Sequence, residues 1–390
     1  MTGGGSGGHI TPILAVAHEL KKTAPDCEII YIGQVGDALA DIPASDNNID
    51  RTFKVRAGKF RRYHGEGWRQ IFDIKTLLLN TRDVAYVLLG TVQSYLLLRK
   101  LRPDIIFVKG GFVGVPVGLS AAVLRIPFIT HDSDAIPGLA NRIIAPWAAL
   151  HTVAMATNIY PYEPTSTICV GIPIGKDYKH VTPELKAEYR HTLGMSMDDK
   201  VVLVVGGGLG AQRINNAVLD IAASLFRQTS SLRVIHGVGR ANEGNARAMY
   251  NRRLTPATAE RVVVKGYITD LHLYSGAADV IVTRAGATNL AEFSAQGKAC
   301  IVVPSPFLTG GHQLKNAKIL GDQHAVELVE ESAMMANPEL LAKAISHLLK
   351  SPQLAKALGD KLHDSAAHEQ SAHALAGILL RQIQGRPDRV

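Results

Sequence analysis

Val201-Val202-Leu203-Val204-Val205-Gly206-Gly207-Gly208-Leu209-Gly210-Ala211 is an apolar run that ends in a glycine cluster and leads into a helix-like stretch. Similar strand-like runs, 27–32, 104–108, 127–130, 232–236, 261–264, 280–282 and 300–303, alternate with helix-like segments along the chain. Short β-rich runs separated by helices predict parallel sheets built from βαβ units. A glycine loop that opens a helix lets backbone N–H groups approach phosphate oxygens, at the end where the helix dipole is positive. The same loop can also serve only as a tight strand-to-helix turn.

Working outward, Gly3-Gly4-Gly5-Ser6-Gly7-Gly8 repeats the glycine cluster near the first residue. It follows only Met1 and Thr2, so the strand expected before it is absent and a misplaced start is suspected. Residues 161–175 are rich in Pro and Gly, and the pattern restarts at Val201. At 390 residues the chain exceeds the usual size of one core, so two α/β domains are expected. The expected divisions are 1–172 and 173–368, with a linker near 171–176 and a helix over 369–390 returning to the first domain. The fold class is two doubly wound, Rossmann-like domains facing a cleft.

Composition narrows the function. With 46% hydrophobic and 19% charged residues, the chain is globular rather than disordered. Cys27, Cys169 and Cys300 are isolated, which suggests neither a disulfide framework nor a metal site. No secretory leader opens the sequence. The apolar segment 84–98 falls short of a membrane span and reads as a buried helix. The net charge of +8 favours an anionic partner, either an acidic membrane or a phosphorylated substrate. Nucleic acid is disfavoured because zinc-finger spacing, aromatic RNA-binding signatures and dense basic blocks are absent. The strand tips Ile32-Gly33-Gln34 and Ile235-His236-Gly237 lack the acid that would hold an NAD ribose.

Several residues stand where chemistry could use them. His9 follows the first glycine loop, and Thr11-Pro12 reads as a helix cap, which places His9 in a loop. It is there either a solvated histidine or a general base. In Arg284-Ala285-Gly286-Ala287-Thr288-Asn289-Leu290-Ala291-Glu292, spacing alone favours a capping box of Asn289 with Glu292. The alternative is a carboxylate that clamps two ribose hydroxyls. Trp68, Ile71, Phe72, Lys75, Leu78 and Leu79 have helical spacing, with Arg61, Arg62, Arg69 and Arg82 nearby. They read as a core-facing helix or as one lying in a membrane interface.

Taken together, Gly4-Gly5-Ser6-Gly7-Gly8-His9, Gly110-Gly111-Phe112-Val113, His131 through Asn141, the 206–211 loop, Arg284 through Glu292 and His312-Gln313-Leu314-Lys315-Asn316-Ala317 resemble the MurG family. These are UDP-N-acetylglucosamine transferases that convert lipid I to lipid II in peptidoglycan synthesis. The resemblance implies a GT-B glycosyltransferase fold, an inverting reaction without cofactor or metal, and peripheral attachment to an anionic membrane on its cytoplasmic face. It implies donor contacts from Gly208, Leu209, Gly210, Ile268, Ala287, Thr288, Glu292, His312 and Gln313. On the acceptor side it implies Ser6, Gly7, Gly8, His9, Phe112 and Asp134, with His9 the catalytic base. Gly171-Ile172-Pro173-Ile174-Gly175 lacks the family's usual Asn and Arg, and Gln212-Arg213 carries its arginine one position late. His131-Asp132-Ser133-Asp134 and Phe112 stand where the family commonly has His-Glu-Gln-Asn and Tyr. Two alternatives remain: a related glycolipid transferase with another acceptor, or a non-catalytic donor-binding or membrane-anchoring subunit.

Overall fold

Every strand pairing in the computed structural model is parallel, over described residues 1–59, 74–306, 311–365 and 371–385, the side chains of 74–79 excepted. The chain divides into two units: residues 1–175, 307–312 and 368–390 form unit 1, and residues 176–306 and 313–367 form unit 2.

Unit 1 runs α1 (Gly7–Thr23), β1 (Ile30–Gln34), α2 (Asp41–Ala44), β2 (Arg51–Val55), α3 (Ile74–Leu101), β3 (Ile106–Val108), α4 (Gly114–Val123), β4 (Phe128–Asp132), α5 (Leu139–Ile144), β5 (Leu150–Val153) and β6 (Thr167–Cys169). The expected gap in the sheet is filled. Thr2 bridges Ile32 of β1 on one side and Val108 of β3 on the other. Its N–H donates to the Phe107 carbonyl at 2.8 Å, and its own carbonyl accepts from Lys109 at 3.0 Å. One residue thus occupies the central position between β2-β1 and β3-β4-β5-β6. Along β3 and β4, Phe107 and Ile129 face one core while Ile106, Val108 and Phe128 face the other.

Unit 2 runs α6 (Pro183–Thr192), β7 (Lys200–Val205), α7 (Gln212–Gln228), β8 (Leu232–Gly237), α8 (Glu243–Arg253), α9 (Pro256–Ala259), β9 (Val262–Lys265), α10 (Leu271–Ala277), β10 (Val280–Thr283), α11 (Ala287–Ala295), β11 (Cys300–Val302), α12 (His312–Asp322), β12 (Glu327–Leu328), α13 (Glu331–Ala336), α14 (Glu339–Lys350) and α15 (Pro352–Asp364). Its strand order is β12-β11-β10-β7-β8-β9, so the chain reverses direction across the sheet between β7 and β10. Val202 and Val204 pack in one core, and Val201, Leu203 and Val205 in the other. Burial on both faces explains why that strand is apolar throughout instead of alternating. The last helix, α16 (Ser371–Gln384), joins unit 1, where Leu375, Ala376, Ile378 and Leu379 share a core with Ile13, Val16, Ala17 and Leu20 of α1.

Three local expectations are corrected. Helix α1 begins at Gly7 with Pro12 inside it, so His9 sits in the first helical turn rather than in a loop before a Thr11 cap. Pro12 is the sixth residue of the helix, past the unpaired first-turn N–H groups, so it removes one i→i−4 hydrogen bond there. Helix α11 begins at Ala287, which puts Asn289 inside the helix and removes the capping box. The segment 84–98 is not a buried helix, because Val84, Leu88, Leu89, Val92 and Leu96 of α3 are exposed. Arg61, Arg62, Trp68, Arg69, Ile71 and Phe72 lie outside the described residues, as do the side chains of Lys75, Leu78 and Leu79.

Candidate active site

In each unit the sequence-marked residues collect at the C-terminal edge of the sheet, where strand order reverses and a doubly wound fold offers a crevice. In unit 1 that point lies between Thr2 and β3. The turn before α1 and the Gly110-Gly111 turn touch there: a Cβ on Gly111, whose φ is +81°, would come 2.6 Å from the Gly4 carbonyl. The Gly5 N–H donates to Asp37 Oδ2 at 2.8 Å.

His9 Nδ1 lies 2.9 Å from the Gly4 carbonyl and 3.2 Å from Ser6 Oγ. A carbonyl only accepts, so Nδ1 carries the proton and Nε2 keeps its lone pair. Nε2 faces the Gly110 turn, 3.6 Å from where a Cβ on that glycine would stand. Burial, and then the nearby Lys109 charge, pull the imidazole down to about 4. Lys109 is itself buried, and desolvation lowers it to about 8 against the opposing pull of Asp132 and Asp134. Asp134 also acts electrostatically on His9.

Asp132 is committed elsewhere. Its Oδ1 accepts from Gly138 N–H and Asn141 Nδ2, both at 3.0 Å, and its Oδ2 accepts from the Tyr162 hydroxyl at 2.7 Å. Asp132 therefore braces residues 133–138 instead of serving as a base. His131 donates from Nε2 to the Gly171 carbonyl at 2.9 Å. Phe112 stands beside Gly5, with the Lys59 ammonium 5.8 Å from its ring centre.

In unit 2 the reversal falls between β7 and β10. The 206–210 loop leaves β7 there, and Gly210, with φ of +79°, packs so closely that a Cβ would meet the Val238 carbonyl at 2.1 Å. Gly208 and the exposed Leu209 belong to this turn. Ala287 and Thr288 open α11, and Glu292 follows one turn later, buried. Desolvation lifts the Glu292 carboxyl to about 8, opposed by its pairing with the Tyr178 hydroxyl. Ile268, three residues past the end of β9, keeps its side chain in the core. His312, which opens α12, is grouped with unit 1, while Gln313, the first unit 2 residue of that helix, accepts the Ser305 N–H on Oε1 at 3.0 Å. Asn316 donates to the Ala285 carbonyl at 3.2 Å and so ties α12 to the turn before α11.

Residues 1–152 match the glycosyltransferase family 28 N-terminal domain, and residues 201–374 match the glycosyltransferase family 28 C-terminal domain. The chain belongs to glycosyltransferase family 28.

Among relatives in this family, a UDP-N-acetylglucosamine–N-acetylmuramyl-(pentapeptide) pyrophosphoryl-undecaprenol N-acetylglucosamine transferase of Bacillus cereus is 29% identical over 90% of each chain. A transferase of the same name from Natranaerobius thermophilus is 29% identical over 91% of each. The crystal structure of Acinetobacter baumannii MurG covers 98% of both chains at 22% identity with a TM-score of 0.65. S. aureus MnaA with UDP, at 12% identity and a TM-score of 0.64, covers 100% of this chain and 98% of its own. At such identities these two structures speak for the fold alone.

Within the family 28 frame, sequence reading passed over Asp37, Lys109, Tyr178 and Glu331. A lone Asp or Lys beside a glycine turn carries no periodic signal. The partners of Tyr178 and Glu331 lie far away in sequence.

Proposed function

We infer that this protein is an inverting transferase that moves N-acetylglucosamine from UDP-N-acetylglucosamine to the muramyl sugar of lipid I, giving lipid II and UDP. The observation that carries this reading is the match at both ends: family 28 domains in order, and likeness over nine-tenths of the chain to transferases named for that reaction. In the reaction the acceptor hydroxyl attacks the anomeric carbon, the bond to UDP breaks, and its electron pair leaves on the diphosphate. The hydroxyl proton passes to His9 Nε2. A histidine held near 4 is unprotonated at neutral pH but weakly basic, so the proton moves only once the new C–O bond has made the hydroxyl acidic. On the donor side, the N–H groups of the 206–210 loop and of the start of α11 receive the diphosphate charge. The Ile268 backbone takes the uracil, Glu292 the ribose, and Gln313 and His312 the N-acetylglucosamine.

We further propose that the protein, whose acceptor is lipid-linked, sits on an anionic bilayer surface at the cytoplasmic face; the exposed side of α3 supports the surface attachment. Leu88 and Leu96 are 64% and 61% exposed, and with Val84, Leu89 and Val92 they form an apolar stripe about 18 Å long at 1.5 Å per residue. Asp83 is the only acid in α3, and it is buried against Arg82, with exposed Arg99 and Lys100 at the far end. An apolar stripe flanked by bases suits attachment rather than insertion. Among the described residues no helix is long and apolar enough to cross a membrane.

The test is a product assay with purified lipid I and UDP-N-acetylglucosamine. Formation of lipid II with release of UDP is expected. UDP binding without turnover on lipid I would overturn the reading in favour of a non-catalytic subunit or a different acceptor.

A further inference from the structure

Beside the turn after β10, charged side chains from three segments of unit 2 meet. Glu331, the first residue of α13, has a side chain only 1% exposed, and its carboxylate is shared by two guanidiniums. Oε2 lies 2.6 Å from Arg213 Nη1, and Oε1 is ion-paired with Arg284 Nη2. Arg284 is held from its other nitrogen as well, with Nη1 donating to the Val303 carbonyl at 3.0 Å. One carboxylate therefore keeps two like charges side by side. Arg284 precedes the turn into α11, and Arg213 is the second residue of α7, so both stand at helix starts that follow glycine-containing turns.

Arg213 comes one position later than the arginine of the resembling family. One position on a helix is about 100° of rotation, which sends an untethered side chain to a different face. We propose that Glu331 is a positioning residue that draws Arg213 back beside Arg284, so that two guanidiniums flank the diphosphate of the donor. The Arg213 side chain is 38% exposed, so its end of the pair lies at the surface, and a guanidinium suits phosphate oxygens. The proposal rests on the reading of unit 2 as the UDP-sugar site.

Titration calorimetry of the full chain with UDP and with UMP tests it. Glu331→Gln is expected to weaken UDP about five- to twentyfold, and UMP, which lacks the second phosphate, by no more than about twofold. The sign is decisive. If Glu331 acted only through its charge, removing a carboxylate beside an anion would tighten UDP, so tighter or unchanged binding overturns the proposal. Rescue separates positioning from general damage. With Gln212→Arg and Arg213→Gln added to Glu331→Gln, the arginine stands where no tether is needed, and UDP affinity returns to within about threefold of wild type. A triple variant as weak as the single one overturns the proposal. Should Glu331→Gln fold poorly, Arg213→Gln at the half-exposed end must still weaken UDP more than UMP, and equal effects overturn it. If the wild type binds no UDP, the donor-site reading itself falls; if it binds UDP but Arg213→Gln changes nothing, only this inference does.

Discussion

Two titratable residues give the proposed chemistry its pH dependence. The Lys109 charge helps hold His9 down, so Lys109→Met should move the acid limb of the kcat/KM profile to higher pH by roughly half a unit to one unit. His9→Ala should lower kcat by about 10²–10⁴-fold while UDP affinity measured by calorimetry stays near normal. An unmoved limb, or a His9 variant with near-normal kcat, would remove the pair from the mechanism. Glu292 behaves oppositely. Its folded value of about 8 lies above the ordinary 4.5, so its contribution to stability is complete below about 4.5 and is lost as pH rises through 8. Glu292→Gln has no proton to lose. Relative to wild type its melting temperature should therefore climb by a few degrees between pH 5 and pH 8, while UDP affinity falls about two- to tenfold, because the amide puts a donor where the carboxyl had an accepting oxygen. A pH-independent difference would sink the buried-acid account. Of these residues, His9 and Glu292 were singled out in the sequence because each closely follows a glycine-containing stretch with a family pattern around it. Lys109 was not, since nothing local says that its ammonium will be buried among His9, Asp132 and Asp134. Glu331 meets Arg213 across 118 positions of sequence, a pairing only the fold can make.

At the scale of elements, apolar runs marked the strands that are buried on both faces, and these make up most of the two sheets. Strand β2 was missed because Arg51-Thr52-Phe53-Lys54-Val55 exposes its charged residues at a sheet edge, and β5 because His151 and Thr152 are buried polar residues. Both polar groups are hydrogen-bonded: Thr130 Oγ1 meets His151 Nδ1 at 2.8 Å, and Thr152 Oγ1 donates to the Thr130 carbonyl at 2.8 Å. Hydropathy alone cannot register such a strand. Helix α3 was misread for the converse reason, since composition shows how apolar a helix is but not whether anything packs against it. Its exposed stripe yields a direct measurement. Leu88→Ser with Leu96→Ser should reduce co-sedimentation with anionic liposomes severalfold, and high salt should release the wild type. UDP affinity should not change, because α3 belongs to unit 1. Equal sedimentation of the wild type and the double variant at low salt would remove α3 from the membrane reading.

For the whole molecule, each unit has its own apolar cores, and the last core of unit 1 to be completed in chain order is closed by the end of the chain. The α1 face formed by Ile13, Val16, Ala17 and Leu20 is covered by Leu375, Ala376, Ile378 and Leu379 of α16. Burying one large aliphatic side chain contributes about 1.5–3 kcal/mol, so losing Leu375, Ile378 and Leu379 together costs on the order of 5 kcal/mol or more. That approaches the net stability of a typical domain. A chain ending at residue 370 should therefore lose cooperative folding of unit 1, while unit 2, whose cores contain none of these side chains, keeps its fold. Limited proteolysis with and without UDP reads this out. In the full-length protein both units should resist cleavage. In the shortened chain a fragment beginning near Lys176 should survive, and its free energy of unfolding should rise with UDP, by about 2.7 kcal/mol at a hundredfold excess over Kd. Activity on lipid I should be lost although UDP still binds. If the shortened chain kept unit 1 intact, the α1–α16 face would not be the closing contact. If UDP binding vanished together with unit 1, the two units would not be independent in stability.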